Sequence, residues 1–146
     1  MAAHEHLSPE QLRLFATGTE VKAMVNYSFD ADPGQGSYDQ VHQQPGERPR
    51  IVHVPSTPRE SLDQTWQRKL TEAKSTSGAV HGAGVYDSIA REGYRPHTSP
   101  ITLVTNSTNG KRFLADGHHR VAAAAAVEGE GRGPVWVPLR YAVTST

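Results

Sequence analysis

The sequence contains no cysteine, which excludes disulfide bonds and metal sites built from thiolates. Long hydrophobic runs are also missing, because no apolar stretch approaches the ~20 residues that a membrane-spanning helix needs. The first residues do not show the charged-then-apolar pattern of a secretory leader. We therefore expect a soluble, cytoplasmic protein without a membrane partner.

The chain has no excess of charge of either sign, with 15 basic and 15 acidic residues among 146. Proteins that coat nucleic acid depend on neutralising phosphates, so the balance argues against that class. Binding to duplex DNA is expected to be weak and salt-sensitive. Apolar residues make up only 36%, and with 10 prolines and 13 glycines the sequence predicts a modest core with long loops, within a single domain.

The most informative stretch is a predicted hairpin that runs into a helix. Residues 102–105 and 111–115 have the pattern of short strands, and the turn between them at 106–110 ends in Asn-Gly. Residues 121–127 are valines and alanines, and the alanines are the strongest helix formers. A strand is therefore predicted to feed directly into a helix whose first turn holds the basic residues 118–120.

This predicted first turn has the properties of an anion site. Backbone N–H groups at a helix start lack partners and carry the positive end of the dipole. Gly117 lets a ligand approach the backbone, and Arg120 suits a bidentate contact with phosphate. The alternative is that Asp116 merely caps the helix and that His118 and His119 are solvated. Against it, a cationic first turn opposes the dipole.

Residues 114–124, with the core Asp-Gly-His-His-Arg, resemble the signature of the ParB/sulfiredoxin superfamily, in particular its ParB-like nuclease domains. Residues 85–93 are similar to the family's helix ending in glycine, residues 100–104 to its proline-led strand and residues 137–141 to its closing strand. The resemblance covers roughly residues 84–142. It implies an α+β fold with a small mixed sheet and helices.

The resemblance also implies roles for individual residues. Gly117, His119 and Arg120 match positions that hold nucleotide phosphates, and Ser88 falls where the family helix approaches the nucleotide. His118 stands where sulfiredoxins have their catalytic cysteine and chromosome-partitioning proteins a glutamate. Because the chain has no cysteine, sulfiredoxin chemistry is excluded.

Two further roles are predicted for the same turn. His118 is the leading acid–base candidate, since an ordinary histidine pKa lies near working pH. A magnesium ion held partly by ligand phosphates needs few protein ligands, and Asp116 is the nearest carboxylate. Asp116 is therefore predicted both to bind the metal and to take part in catalysis. The resemblance further implies a carboxylate base, which other relatives use as small-molecule kinases; Asp87 or Glu92 could take that role here only if it faces the phosphate site.

The leading functional prediction is therefore a domain that binds a nucleoside triphosphate with Mg²⁺ and hydrolyses or transfers phosphate. One alternative is a ParB-like nuclease acting on DNA. Another, from a different class, is a non-catalytic protein of phage type or associated with DNA, in which the pocket serves as a ligand sensor.

The whole chain divides into two predicted parts. Residues 1–50 are expected to form an N-terminal extension, with a helix that starts at Ser8 and ends at Gly18, followed by a mobile loop over 30–50. Residues 51–146 are expected to form the core. Its other predicted elements are a strand over 51–55, a helix over 61–74 with Trp66 in the core, a helix over about 86–92 and a strand over 134–142.

Overall fold

The computed structural model describes residues 14–25, 36–44, 46–94 and 100–145. Over these ranges the chain is a mixed α+β fold. The strands are β1 (Phe15–Thr17), β2 (Tyr38–His42), β3 (Arg50–Val54), β4 (Ile101–Asn106), β5 (Arg112–Leu114) and β6 (Trp136–Thr144). The helices are α1 (Gly18–Met24), α2 (Leu62–Lys74), α3 (Val85–Glu92) and α4 (His118–Gly129). None of these helices is long and apolar enough to cross a bilayer.

The larger sheet has four strands in the order β1-β6-β4-β5. β6 is antiparallel to β1 and parallel to β4, whereas β4 and β5 form an antiparallel hairpin. Parallel neighbours need a crossover connection, and α4 supplies it between β5 and β6. β2 and β3 form a separate antiparallel pair.

Helix α4 is the centre of the packing, since α1, α2 and α3 all contact it. Its small side chains explain this position, because Val121, Ala123 and Ala124 are fully buried and alanine lets neighbouring elements approach closely. Leu103 and Leu139 of the larger sheet belong to the same cluster. A smaller cluster around Ile51, Val104 and Phe113 joins the β3 strand to the opposite face of that sheet.

The structure confirms most predicted elements after residue 50. The hairpin, the helix that follows Gly117 and the closing strand are β4, β5, α4 and β6. Helices α2 and α3 lie within one residue of their predicted bounds. Trp66 is 4% exposed, which confirms its place in the core.

The predictions for the first fifty residues differ from the structure. Gly18 begins a helix rather than ending one, because Thr17 and Glu20 form a capping box that starts α1. Residues 15–17 of the predicted helix form the strand β1 instead, and its residues 8–13 lie outside the described residues. Ala16 and Val21 are fully buried, so residues 14–25 pack in the main core cluster.

The prediction of a loop over 30–50 is wrong at β2, which spans Tyr38–His42. Residues 30–35 and 45 of that stretch lie outside the described residues. The register of β2 pairs Tyr38 with Val54 and His42 with Arg50. Every residue of β2 is at least partly exposed. Its polar sequence therefore lacks the alternation of apolar residues that would have predicted a strand. Pairing with β3, rather than burial, therefore defines β2.

Gly18 provides a test of the close packing between α1 and α4. A Cβ at this position would lie 2.5 Å from the Cβ of Ala124 and 2.8 Å from its carbonyl carbon. Since backbone cannot move aside easily, Gly18→Ala is expected to lower the free energy of unfolding by about 1–3 kcal/mol, the usual cost of overpacking. Urea denaturation measures this loss.

The matched control is the same substitution at Gly129, the last residue of α4. A Cβ on Gly129 would meet nothing within 4 Å, and alanine is the better helix former. Gly129→Ala should therefore leave stability unchanged or raise it by up to about 1 kcal/mol. If Gly18→Ala were equally harmless, the described contact between Gly18 and Ala124 would be wrong.

Candidate functional site

The candidate site is the turn that leads from β5 into α4. Gly117 is the N-cap of α4 and has φ 86° and ψ 18°, a left-handed conformation that favours glycine. The amide of Val121 donates to the Gly117 carbonyl at 3.0 Å and closes the first helical turn. A Cβ on Gly117 would lie 2.9 Å from Cγ1 of Ile101. Conformation and space therefore both require glycine.

The start of α4 is not capped by a side chain. The same is true of α3 at Gly84, whereas in α1 and α2 the pairs Thr17–Glu20 and Ser61–Gln64 form complete capping boxes. The first-turn amides of a helix have no acceptor within the helix itself. Gly117 brings no oxygen to them, so these amides suit an external anion.

The Arg120 side chain folds back over this turn. Its Nη2 lies 3.2 Å from where a Cβ of Gly117 would be. Its Nη1 donates to the Tyr94 hydroxyl at 2.7 Å, and its Cζ is 5.8 Å from the centre of the Tyr94 ring. The guanidinium group therefore stands at the same end of α4 as the first-turn amides.

Asp116 borders this site on the solvent side. Its side chain is 53% exposed, and its Oδ2 lies 3.9 Å from Nη2 of Arg120. Its Oδ1 accepts from the Thr102 amide at 3.4 Å. An exposed pair at this distance is weak, so Asp116 only partly offsets the charge of Arg120.

His119 is bound to α2 rather than to Arg120. Its Nε2 lies 2.8 Å from Oε1 of Glu72, and its side chain is 11% exposed. This hydrogen bond is the main cause of the lowered pKa of Glu72, whereas burial lowers the pKa of His119. Since an ionised carboxylate only accepts, Nε2 donates.

The loop before α3 also fixes the His119 ring. Gly82 is so close that any side chain there would collide with the imidazole, and the His81 ring lies 5.1 Å away, edge on. The ring nitrogen Nε2 of His119 already donates to Glu72. The predicted contact between this ring and a phosphate stays a prediction. The backbone amide of His119, in the first turn of α4, remains part of the candidate site.

His118 lies against Trp66 of α2, with ring centroids 5.8 Å apart and planes inclined by 41°. Burial, with a smaller contribution from Lys69, lowers the pKa of His118 to about 4. The pKa of His118 is therefore well below the value near neutrality that we expected from the sequence. Its imidazole is neutral at pH 7, and its ring nitrogens form no hydrogen bond with any described residue.

The other predicted contacts are on α3. Ser88 is half-buried, and its hydroxyl group forms no hydrogen bond within the described ranges, so nothing joins it to Arg120 directly. Asp87 and Glu92 are exposed. Glu92 lies two residues before Tyr94, at the end of α3 that is next to the site.

The structure therefore brings together Asp116, Gly117 and Arg120, and adds Tyr94, which sequence reasoning did not identify. The one available signal was Gly93, which predicted a helix end directly before Tyr94. No spacing rule relates Tyr94 to Arg120, because the two residues are 26 positions apart.

Comparisons with known proteins find no match to this chain among protein-family models, curated proteins or solved structures. The ParB/sulfiredoxin assignment therefore stays a prediction that rests on residues 114–124 and the flanking segments.

Proposed function

We propose that this protein is a ParB/sulfiredoxin-like domain that binds the phosphate chain of a nucleoside triphosphate at residues 116–120. The observation that carries the proposal is the Arg120 guanidinium group, which lies over the uncapped start of α4 at Gly117. Two kinds of donor meet there, backbone amides and a planar cationic fork. This combination suits a multivalent oxyanion.

The topology supports the family part of the proposal. Residues 100–145 run in the order β4, β5, α4 and β6, with β4 and β6 as parallel neighbours. This order matches the strand, helix and closing strand that the resemblance implies. The core motif stands where the hairpin passes into the helix.

Magnesium fits the site only together with bound phosphates. The described residues contain no group of three or more histidine, aspartate or glutamate side chains able to hold a metal. Asp116 would supply one carboxylate oxygen, and phosphate oxygens and water would supply the others. When bound, the ion would neutralise phosphate charge.

Hydrolysis or phosphoryl transfer would extend the proposal to His118. The neutral imidazole accepts a proton at pH 7, but a pKa of about 4 makes it a weak base. The proposal therefore rests on binding and not on turnover. Turnover would separate an enzyme from a ligand sensor, and DNA cleavage would favour the nuclease.

The test is a calorimetric panel of ATP, CTP, GTP, UTP and inorganic triphosphate, each with and without Mg²⁺. We expect saturable binding of inorganic triphosphate and of at least one nucleotide. Inorganic triphosphate is included because it carries the phosphate chain without a base. Absence of binding across the whole panel would overturn the proposed function.

Asp116→Asn separates the two roles of this carboxylate. Without Mg²⁺, loss of the negative charge 3.9 Å from Arg120 should strengthen triphosphate binding by about 2- to 5-fold, the scale of an exposed ion pair. With Mg²⁺, the variant should lose any gain that the wild type draws from the metal. Titration calorimetry at both conditions measures both effects.

Asp63→Asn is the matched control, because Asp63 is the exposed acidic residue in the first turn of α2. It removes the same charge from another helix start and should change neither affinity nor its dependence on Mg²⁺. Weaker metal-free binding by Asp116→Asn would contradict the described electrostatics.

A further inference from the structure

Tyr94 contacts Arg120 in two ways. Its hydroxyl oxygen accepts from Nη1 at 2.7 Å, and its ring lies 5.8 Å from Cζ. The side chain of Arg120 is 21% exposed, so the guanidinium group is partly desolvated. A hydrogen bond and a ring contact together restrict where this flexible side chain can lie.

The chemistry of these contacts differs from that of an ion pair. Burial raises the pKa of Tyr94, which keeps its phenol neutral at pH 7. A neutral hydroxyl and an aromatic face attract a cation without cancelling its charge. A carboxylate at the same place would hold Arg120 equally well but would compete with an incoming anion.

The backbone at Tyr94 is itself fixed by the core. Helix α3 ends at Gly93, which has φ 71° and donates its amide to the Ile89 carbonyl at 2.8 Å. Ile89 is 6% exposed and packs in the main cluster. The path from the core to the guanidinium group is therefore short, running from Ile89 through Gly93 to Tyr94.

We propose that Tyr94 is a positioning residue that holds the Arg120 guanidinium group in place for a phosphate ligand without neutralising it. This proposal rests on the proposed function, since it assigns a second residue to the same site. Tyr94 acts only through Arg120. Holding the side chain in advance reduces the conformational entropy lost on binding.

The first experiment needs no ligand. Nitrogen-15 NMR of arginine side chains reports how fast the Arg120 guanidinium group rotates. We expect slow rotation in the wild type and clearly faster rotation in Tyr94→Phe, which removes only the hydroxyl. Fast rotation in the wild type, or equal rotation in both proteins, would overturn the positioning role whatever the protein binds.

The second experiment is a double-mutant cycle with inorganic triphosphate as the probe. Tyr94→Phe should weaken binding by about 3- to 10-fold, which corresponds to one hydrogen bond. In the Arg120→Ala background the same change should have no effect, because the guanidinium group that the Tyr94 hydroxyl holds is missing. Equal loss in both backgrounds would show that Tyr94 does not act through Arg120 and would overturn the proposal.

Tyr86→Phe is the matched control. Tyr86 lies on α3, and its hydroxyl donates to Glu130, at the opposite end of α4 from Arg120. The variant should bind triphosphate as the wild type does. If the wild type bound no triphosphate, the proposed function would fail and Tyr94 would have no ligand role. If it bound and Tyr94→Phe bound equally well, only the positioning proposal would fail.

Discussion

Arg120→Ala is expected to weaken binding of inorganic triphosphate by about 1.5–3 kcal/mol, or roughly 10- to 150-fold, the range for charge-assisted hydrogen bonds. The guanidinium group lies over Gly117 and supplies the side-chain charge at the turn. Its loss leaves the phosphate chain with backbone amides alone. Isothermal titration calorimetry measures the difference, with circular dichroism to show that the fold is intact.

Two further variants make this result specific. Arg120→Lys keeps the charge but loses the planar fork, so it should fall between the wild type and Arg120→Ala. Arg91→Ala removes an exposed arginine of α3 and should bind normally. Unchanged affinity in a folded Arg120→Ala protein would rule out residues 116–120 as the binding site.

The second large effect concerns His118 and stability. The pKa of His118 is about 4 in the folded protein, against 6.5 for an ordinary histidine. Below pH 6.5 the unfolded chain therefore takes up a proton that the folded protein does not, and stability falls as pH falls, until about pH 4. We expect His118 to account for a loss of about 2–3 kcal/mol over this window.

His118→Gln isolates this contribution, because glutamine is polar but does not titrate. Burial also lowers the pKa of His119, so both proteins should lose stability in acid, the variant less steeply between pH 6.5 and 4.5. Urea denaturation at several pH values gives the two curves. Parallel curves would contradict the half-buried, neutral imidazole beside Trp66.

Local signals explain which parts of the fold sequence could predict. The Asn-Gly turn and the alanines of α4 each act within a few positions, and the elements that they predicted are present. β1 is different. Its three residues pair with Trp136, Val137 and Pro138, more than a hundred positions later, and no short-range pattern carries that partner.

The same division applies to the candidate site. Gly117 and Arg120 were predictable because a strand running through glycine into a helix is a local feature. The orientations of His118 and His119 depend on Trp66 and Glu72 of α2, which only the tertiary packing brings to α4. Sequence therefore indicated the turn but not which of its basic side chains stay available to a ligand.

The most direct test of the account is an amide NMR titration of the whole protein with inorganic triphosphate. A phosphate chain bound at the start of α4 should shift the backbone amides of Gly117, His118, His119 and Arg120 more than any others, with saturation at one equivalent. The same titration of Arg120→Ala should show smaller, unsaturated shifts. Shifts centred elsewhere, or none at all, would contradict a phosphate site at this turn.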